Sequence, residues 1–303
     1  MSINNICFYT PLSATANNIK VDKPEESSFN EENIKEEEND FSSGMTVIAH
    51  RGYSDIAPEN TIPAFIAAAE AGYTTVECDI EWTKDGVPVL LHDKNINRTA
   101  RTQSGWKYLF PRKCSSYTYD ELLKLDFGSW KDEKYKGTKI PSFNDLLDCA
   151  KEYGLNVYVE LKQNTVFDKE KAQMLTQAVK EAGLEDNITW ISFDASYLKM
   201  ISEYMPEARL GFLSSKEVSE KTISVLQDLK NDENEVFLDI SSSKTNKKSD
   251  AMLDEAGFPF EIWTVNDNSR LQEFYEYECS GITTDKLTDE VIDDYLSGLY
   301  DEN

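Results

Sequence analysis

Residues 46–93 read TVIAHRGYSDIAPENTIPAFIAAAEAGYTTVECDIEWTKDGVPVLLHD, and the order of patterns within them decides the fold class. A Val/Ile run, TVIAH (46–50), precedes an amphipathic stretch over 61–71, and a second apolar run, TVECDI (75–80), follows. Strand, helix, strand in that order is the signature of a βα unit in a parallel sheet. The turn TKDG then leads directly into VPVLLH (87–92) with no room for a helix, so this unit is irregular. The alternation resumes with VYVEL (157–161), ITWISF (188–193), RLGFL (209–213), VFLDI (236–240), EIWTV (261–265) and GITT (281–284). Helical stretches fall at 142–153, 168–182, 195–204, 216–230, 247–256, 267–277 and 287–297. Nine strand candidates for a barrel of eight point to an α/β TIM (β/α)8 barrel, with a doubly wound open sheet second. No GxGxxG or Walker-type glycine loop supports a nucleotide-binding version of the open sheet.

Outside this rhythm lie two segments. Residues 1–44 are rich in Asn, Ser, Glu and Lys, contain the acidic run EENIKEEEND and keep no apolar period, so they read as a disordered tail ahead of a barrel domain over 45–303. About residues 94–140, after the third strand candidate, form an insertion rich in aromatics, Gly and Lys. A long insertion after a barrel strand sits at the face where active sites form, and this one reads as a cap that helps select a substrate.

Composition narrows the partners. The chain has 303 residues with 31 Lys and Arg against 56 Asp and Glu, a net charge of −25, so nothing attracts it in general to nucleic acid or to an anionic membrane. A hydrophobic content of 40% suffices for a large core. Cys7, Cys78, Cys114, Cys149 and Cys279 are scattered without CxxC spacing, which fits a reducing compartment and indicates neither a disulfide framework nor zinc. The N-terminus lacks the features of a secretory signal, and no run approaches the roughly 18 apolar residues that span a bilayer. The expectation is a cytoplasmic protein with no stable membrane insertion.

The chain holds only two histidines, His50 and His92, and each ends an apolar strand candidate. One such histidine is ordinarily structural; two placed alike can supply a base and an acid near neutral pH. Glu77 and Asp79 are spaced i, i+2 and leave one strand face, and Glu160 ends VYVEL in the same way. Three carboxylates inside apolar runs are costly unless a cation neutralises them, and an all-oxygen set suits Mg²⁺ or Ca²⁺. Arg51 follows His50, and Lys162 lies two residues beyond Glu160; cations beside a carboxylate-held metal are what a phosphate oxyanion requires. The constellation reads as metal-assisted phosphoryl chemistry.

At this point the motifs are recognisable. HRG, PENT, E-x-D, T-x-DG and HD, in order within residues 50–93, resemble the opening signature of the glycerophosphodiester phosphodiesterase family. NRT (97–99), ELLKLDFGSW (121–130), IPSFNDLL (140–147), VELK (159–162), SFD (192–194), WTVND (263–267) and GITTDK (281–286) extend the resemblance from about Thr46 to the end. It implies a TIM-barrel hydrolase that cleaves small glycerophosphodiesters, such as glycerophosphocholine or glycerophosphoethanolamine, to sn-glycerol 3-phosphate and an alcohol. By matching motif, His50 and His92 take the places of the acid/base pair. Glu77, Asp79 and Glu160 take those of ligands to one divalent cation, Arg51 and Lys162 contact phosphate, and Trp263 lines the substrate pocket. Ala100 after NRT, where a second Thr is common in the family, and the segment QSGWKYLFPRKC depart from the family pattern, which bears on the alcohol.

The expected mechanism has the metal and Arg51 bind the phosphodiester, His50 serve as base and His92 as acid, with either water or the glycerol 2-hydroxyl as nucleophile. The alternative is a lysophospholipase D or a cyclising phosphodiesterase acting on lysophospholipids, for which Trp106, Tyr108, Phe110, Tyr117 and Trp130 would line an acyl groove or else form the cap's own core.

Overall fold

All nine strand candidates pair into one sheet in the computed structural model, which describes residues 42–163 and 166–301. The segment read as a tail lies outside the described residues as far as residue 41. The strands are β1 (Thr46–Ala49), β2 (Thr75–Trp82), β3 (Pro88–Leu90), β4 (Asn156–Leu161), β5 (Ile188–Ser192), β6 (Arg209–Ser214), β7 (Val236–Ser241), β8 (Phe260–Trp263) and β9 (Gly281–Thr284). Eight of them are parallel in the order β1-β9-β8-β7-β6-β5-β4-β2, and β2 pairs back onto β1 to close the barrel. The ninth is β3, which runs antiparallel along β2 with Ile80 opposite Leu90 and Trp82 opposite Pro88. Nine candidates thus become a TIM barrel of eight plus one hairpin arm.

Around the barrel lie α1 (Ile62–Glu70), α2 (Tyr119–Leu122), α3 (Phe143–Tyr153), α4 (Lys169–Ala182), α5 (Ala195–Tyr204), α6 (Glu220–Leu229), α7 (Lys247–Ala256), α8 (Leu271–Glu276) and α9 (Asp289–Asp301). Local chemistry sets their ends. In α3, the Ser142 hydroxyl accepts from Asp145 N–H while the Asp145 carboxylate accepts from Ser142 N–H, a reciprocal cap on two orphan donors. The same helix stops at Gly154, whose φ of 66° is the left-handed conformation that a Cβ disfavours. The helix expected over 216–230 begins only at Glu220, because Ser219 caps it through Thr222 N–H. The stretch expected from 267 opens with a 3-10 turn over Asn268–Arg270, where Asp267 caps Ser269 N–H.

Alternation along the strands divides the apolar side chains between two cores. Outward residues such as Val76, Cys78, Val157, Val159 and Trp190 pack under the helices. Trp190 is fully buried with its ring 6.2 Å from Phe143 of α3. Inward residues Ile48, Tyr158, Ile191, Leu213 and Phe237, with Phe193 and Trp263 against them, fill the barrel. The insertion has a core of its own, built from residues including Ile96, Cys114, Leu122, Phe127 and Ile140. Of the aromatics considered for an acyl groove, Tyr108 and Tyr117 pack against that core, Trp130 is half-buried, and Trp106 and Phe110 are exposed. The insertion reaches the β1–α1 loop through Lys131 Nζ, which donates to Ser54 O at 2.7 Å, and Tyr135 Oη, which donates to Ile56 O at 2.9 Å. No helix among the described residues is long and apolar enough to cross a membrane.

Candidate active site

Register places the carboxylates. In the parallel pairing of β2 with β4, Asp79 is the partner of Glu160 and Glu77 that of Tyr158, so three acids meet near the C-terminal ends of adjacent strands. One oxygen from each of Glu77, Asp79 and Glu160 lies within 4.8 Å of the others, and all three side chains are buried. Lys162 Nζ bridges the pair, 3.1 Å from Asp79 Oδ1 and 3.0 Å from Glu160 Oε2. Asn60 exchanges two hydrogen bonds with Asp79, donating from Nδ2 at 2.7 Å and accepting the Asp79 N–H at 3.1 Å.

Opposite charges and burial pull these acids apart. Burial opposes ionisation of Asp79, yet Lys162, Arg51, His92 and the Asn60 hydrogen bond hold it well below the usual carboxylate range. Burial and the neighbouring Asp79 charge push Glu77 well up and Glu160 up to about 7. A set of buried carboxyls that cannot all ionise by themselves is the electrostatic condition a divalent cation relieves, and its all-oxygen donors fit a hard ion.

The loop after β1 supplies the first histidine and a cation. Arg51 has a φ of 57°, uncommon for a non-glycine residue, and in this conformation its backbone N–H donates to Glu77 Oε2 at 2.9 Å. Its guanidinium pairs with Glu59 at 2.9 Å and lies 3.4 Å from Asp79. The adjacent Gly52 has a φ of 75°, and a Cβ there would stand 2.7 Å from the Ala64 carbonyl carbon, so only glycine lets the loop lie against α1. His50 presents Nδ1 to Asp285 Oδ1 at 2.7 Å and Nε2 toward Glu77, 4.0 Å away. Ser54 and Asn266 also donate to Asp285. Burial favours the protonated acid at Asp285, but the His50 contact and these donors outweigh it and depress its pKa.

The second histidine arrives differently from the sequence expectation. His92 does not end a parallel barrel strand; it follows antiparallel β3. Three residues of β2, Ile80 to Trp82, continue past Asp79 to pair with β3, and the chain turns and comes back, Leu91 N–H donating to Asp79 O at 3.0 Å. This return brings His92 to the level of Asp79. Its Nδ1 lies 2.8 Å from Asp93 Oδ1, and Arg98 Nε donates to Asp93 Oδ2 at 2.7 Å. Arg98 also pairs with Glu59, completing a chain of contacts from His92 to Arg51. The His92 hydrogen bond, ahead of opposing burial, lowers the Asp93 pKa, with Arg98 adding to it.

The model of the glycerophosphoryl diester phosphodiesterase family matches residues 50–288, a span holding every residue of this cluster. The chain belongs to that family. It is 33% identical over 167 residues to a glycerophosphodiester phosphodiesterase of Caldanaerobacter subterraneus subsp. tengcongensis, the match covering 55% of this chain and 65% of that one. It is 24% identical over 254 residues to a glycerophosphodiester phosphodiesterase of Bacillus subtilis, covering 79% and 83%. Among solved structures, it resembles an Oleispira antarctica phosphodiesterase in complex with the product sn-glycerol-3-phosphate, with a TM-score of 0.68, 24% identity and coverage of 84% of this chain and 96% of that one.

Within the family motifs, residues that sequence reasoning left without a role prove to be the partners of those it chose. Glu59 and Asn60 belong to PENT, Asp93 to HD, Arg98 to NRT, Asn266 to WTVND and Asp285 to GITTDK. Each was visible as part of a motif, but its function as a partner needs the folded chain. Trp263 packs against the apolar side chains that fill the barrel. Its indole packs edge-on against Phe193 with centroids 5.6 Å apart, and its Nε1 donates to Asp239 O at 3.1 Å.

Proposed function

We propose that the protein is a divalent-metal-dependent glycerophosphodiester phosphodiesterase that hydrolyses small diesters such as glycerophosphocholine or glycerophosphoethanolamine to sn-glycerol 3-phosphate and an alcohol. The observation that carries this reading is the convergence of two carboxylate-tethered histidines on a buried cluster of three carboxylates and two cations at one barrel mouth. Family membership and a structural relative that holds sn-glycerol-3-phosphate support it.

Glu77, Asp79 and Glu160 would hold the cation. Bound there, a Mg²⁺ or Ca²⁺ ion supplies Lewis-acid stabilisation of a phosphodiester oxygen. Arg51 and Lys162 add positive charge beside the phosphate and orient it. With Nδ1 committed to Asp285, neutral His50 offers Nε2 as the base that takes a proton from the attacking water. His92, held through Nδ1 by Asp93, gives a proton from Nε2 to the departing alkoxide as the bond between phosphorus and the alcohol oxygen breaks and a new bond to the water oxygen forms. Trp263 contributes an apolar wall to the substrate pocket.

The test is hydrolysis of glycerophosphocholine, followed as release of sn-glycerol 3-phosphate, with and without EDTA. Turnover that EDTA abolishes and added Mg²⁺ or Ca²⁺ restores is expected. Replacement of either histidine by Ala should lower kcat by about 10²-fold or more. Full turnover in EDTA would overturn the metal assignment, and near-normal kcat in His50→Ala would remove that residue as base.

A further inference from the structure

The loop at the head of the insertion carries chemistry that hydrolysis leaves unused. Trp106, Leu109 and Phe110 are 75%, 90% and 75% exposed. Two further exposed apolar side chains, Ile56 after β1 and Val166 after β4, stand on segments that leave the C-terminal ends of barrel strands, the face that holds the carboxylate cluster. Charge is biased in the same place. From residue 94 to residue 119 the chain has no acid, in a protein whose acids far outnumber its bases; of the six bases there, Arg101 is buried and Arg98 is paired with Asp93 and Glu59, whereas Lys107, Arg112 and Lys113 are exposed.

The loop is also built to keep its apolar groups outward. Asn97 Nδ2 donates to Tyr108 O at 3.1 Å and to Phe110 O at 2.7 Å, and Asn97 Oδ1 accepts the Arg112 N–H at 2.7 Å. The Arg112 guanidinium lies 5.5 Å from the Tyr108 ring centroid. These bonds satisfy backbone groups within the loop while Trp106, Leu109 and Phe110 remain in water. Beside Asn97, Arg98 ties the root of the loop to Asp93 and Glu59, and so to His92 and Arg51. Indole and phenyl rings flanked by Lys107, Arg112 and Lys113 are the composition that settles at a lipid headgroup boundary, where rings enter the acyl margin and cations meet anionic phosphates.

We infer that the Trp106–Lys113 loop is an interfacial anchor that docks the barrel mouth on an anionic lipid surface. The inference concerns where the mouth is placed and does not depend on the reaction proposed for it. An acidic molecule gains little from such a surface elsewhere, so the basic, apolar loop selects the orientation in which the site faces the lipid.

The full chain is tested for co-sedimentation with vesicles of equal parts phosphatidylglycerol and phosphatidylcholine. Binding is expected, weaker on pure phosphatidylcholine and at high salt. The triple variant Trp106→Ser, Leu109→Ser, Phe110→Ser and, separately, Lys107→Glu, Arg112→Glu, Lys113→Glu should each bind about tenfold or more weakly. Unchanged thermal melting shows that both variants are folded. No binding by the parent chain, or equal binding by both folded variants, overturns the inference. So does a concentration-dependent dimer in the parent that the Ser variant abolishes, since the patch would then join two copies of the chain.

Discussion

His50 Nδ1 meets the Asp285 carboxylate at 2.7 Å, across 235 residues of chain, because β1 and β9, the first and last strands, are parallel neighbours in the barrel. Ala49 pairs with Thr284, so the residues that follow each strand emerge side by side at the mouth. Asp285 therefore fixes the imidazole's orientation and leaves Nε2 as the nitrogen that faces Glu77. Asp285→Asn should lower kcat by about tenfold or more with a smaller change in KM. A kcat equal to the parent's would show that the contact does not position His50 for the reaction.

A second prediction concerns the cation. Glu160 contributes an oxygen to the cluster and is the partner of Asp79, so Glu160→Gln should weaken Mg²⁺ or Ca²⁺ binding by about tenfold or more, as removal of a charged oxygen ligand does. Isothermal titration of the metal-stripped protein reads this directly, without turnover. Equal affinity in the variant would exclude Glu160 as a ligand.

Asp239 is 1% exposed, and its Oδ1 has no hydrogen-bond partner among the described residues. Burial first, then the charges of Glu261 and Glu160, push its pKa well above the ordinary value. A carboxyl with a raised folded pKa keeps its proton in the native state and releases it on unfolding. Its contribution to stability is therefore present below the unfolded value of about 3.9 and is lost as pH rises above it. Asp239→Asn removes that loss, so in EDTA its advantage over the parent in urea midpoint should be larger at pH 7 than at pH 4. A pH-independent difference would show that Asp239 ionises in the fold.

Packing beneath the helices gives a fourth. Trp190 is fully buried between β5 and α3, and Trp190→Ala should cost about 3–5 kcal/mol by urea denaturation, from lost burial and the cavity left behind. A loss below about 1 kcal/mol would mean that the surrounding helices collapse into the space.

The amino-acid sequence by itself determined the strands, the helices and the residue types of the site. Most strands are local runs rich in Val, Ile and aromatic side chains, and the helices between them carry an apolar period of their own, so these were legible without distant contacts, whereas the short α2 of the insertion was not. The i, i+2 spacing put Glu77 and Asp79 on one face for the same reason. Tertiary structure alone decided which strand was the ninth. VPVLLH has the composition of a barrel strand, and its antiparallel run along β2, which carries His92 back to Asp79, is a matter of pairing rather than propensity. It also decided the partners: Asp285 for His50, Glu59 for Arg51 and Arg98, and Asn60 for Asp79. Side-chain direction along a strand repeats every two residues and can be read from one segment, whereas register and closure bring together residues whose separation in sequence carries no trace of their distance in space.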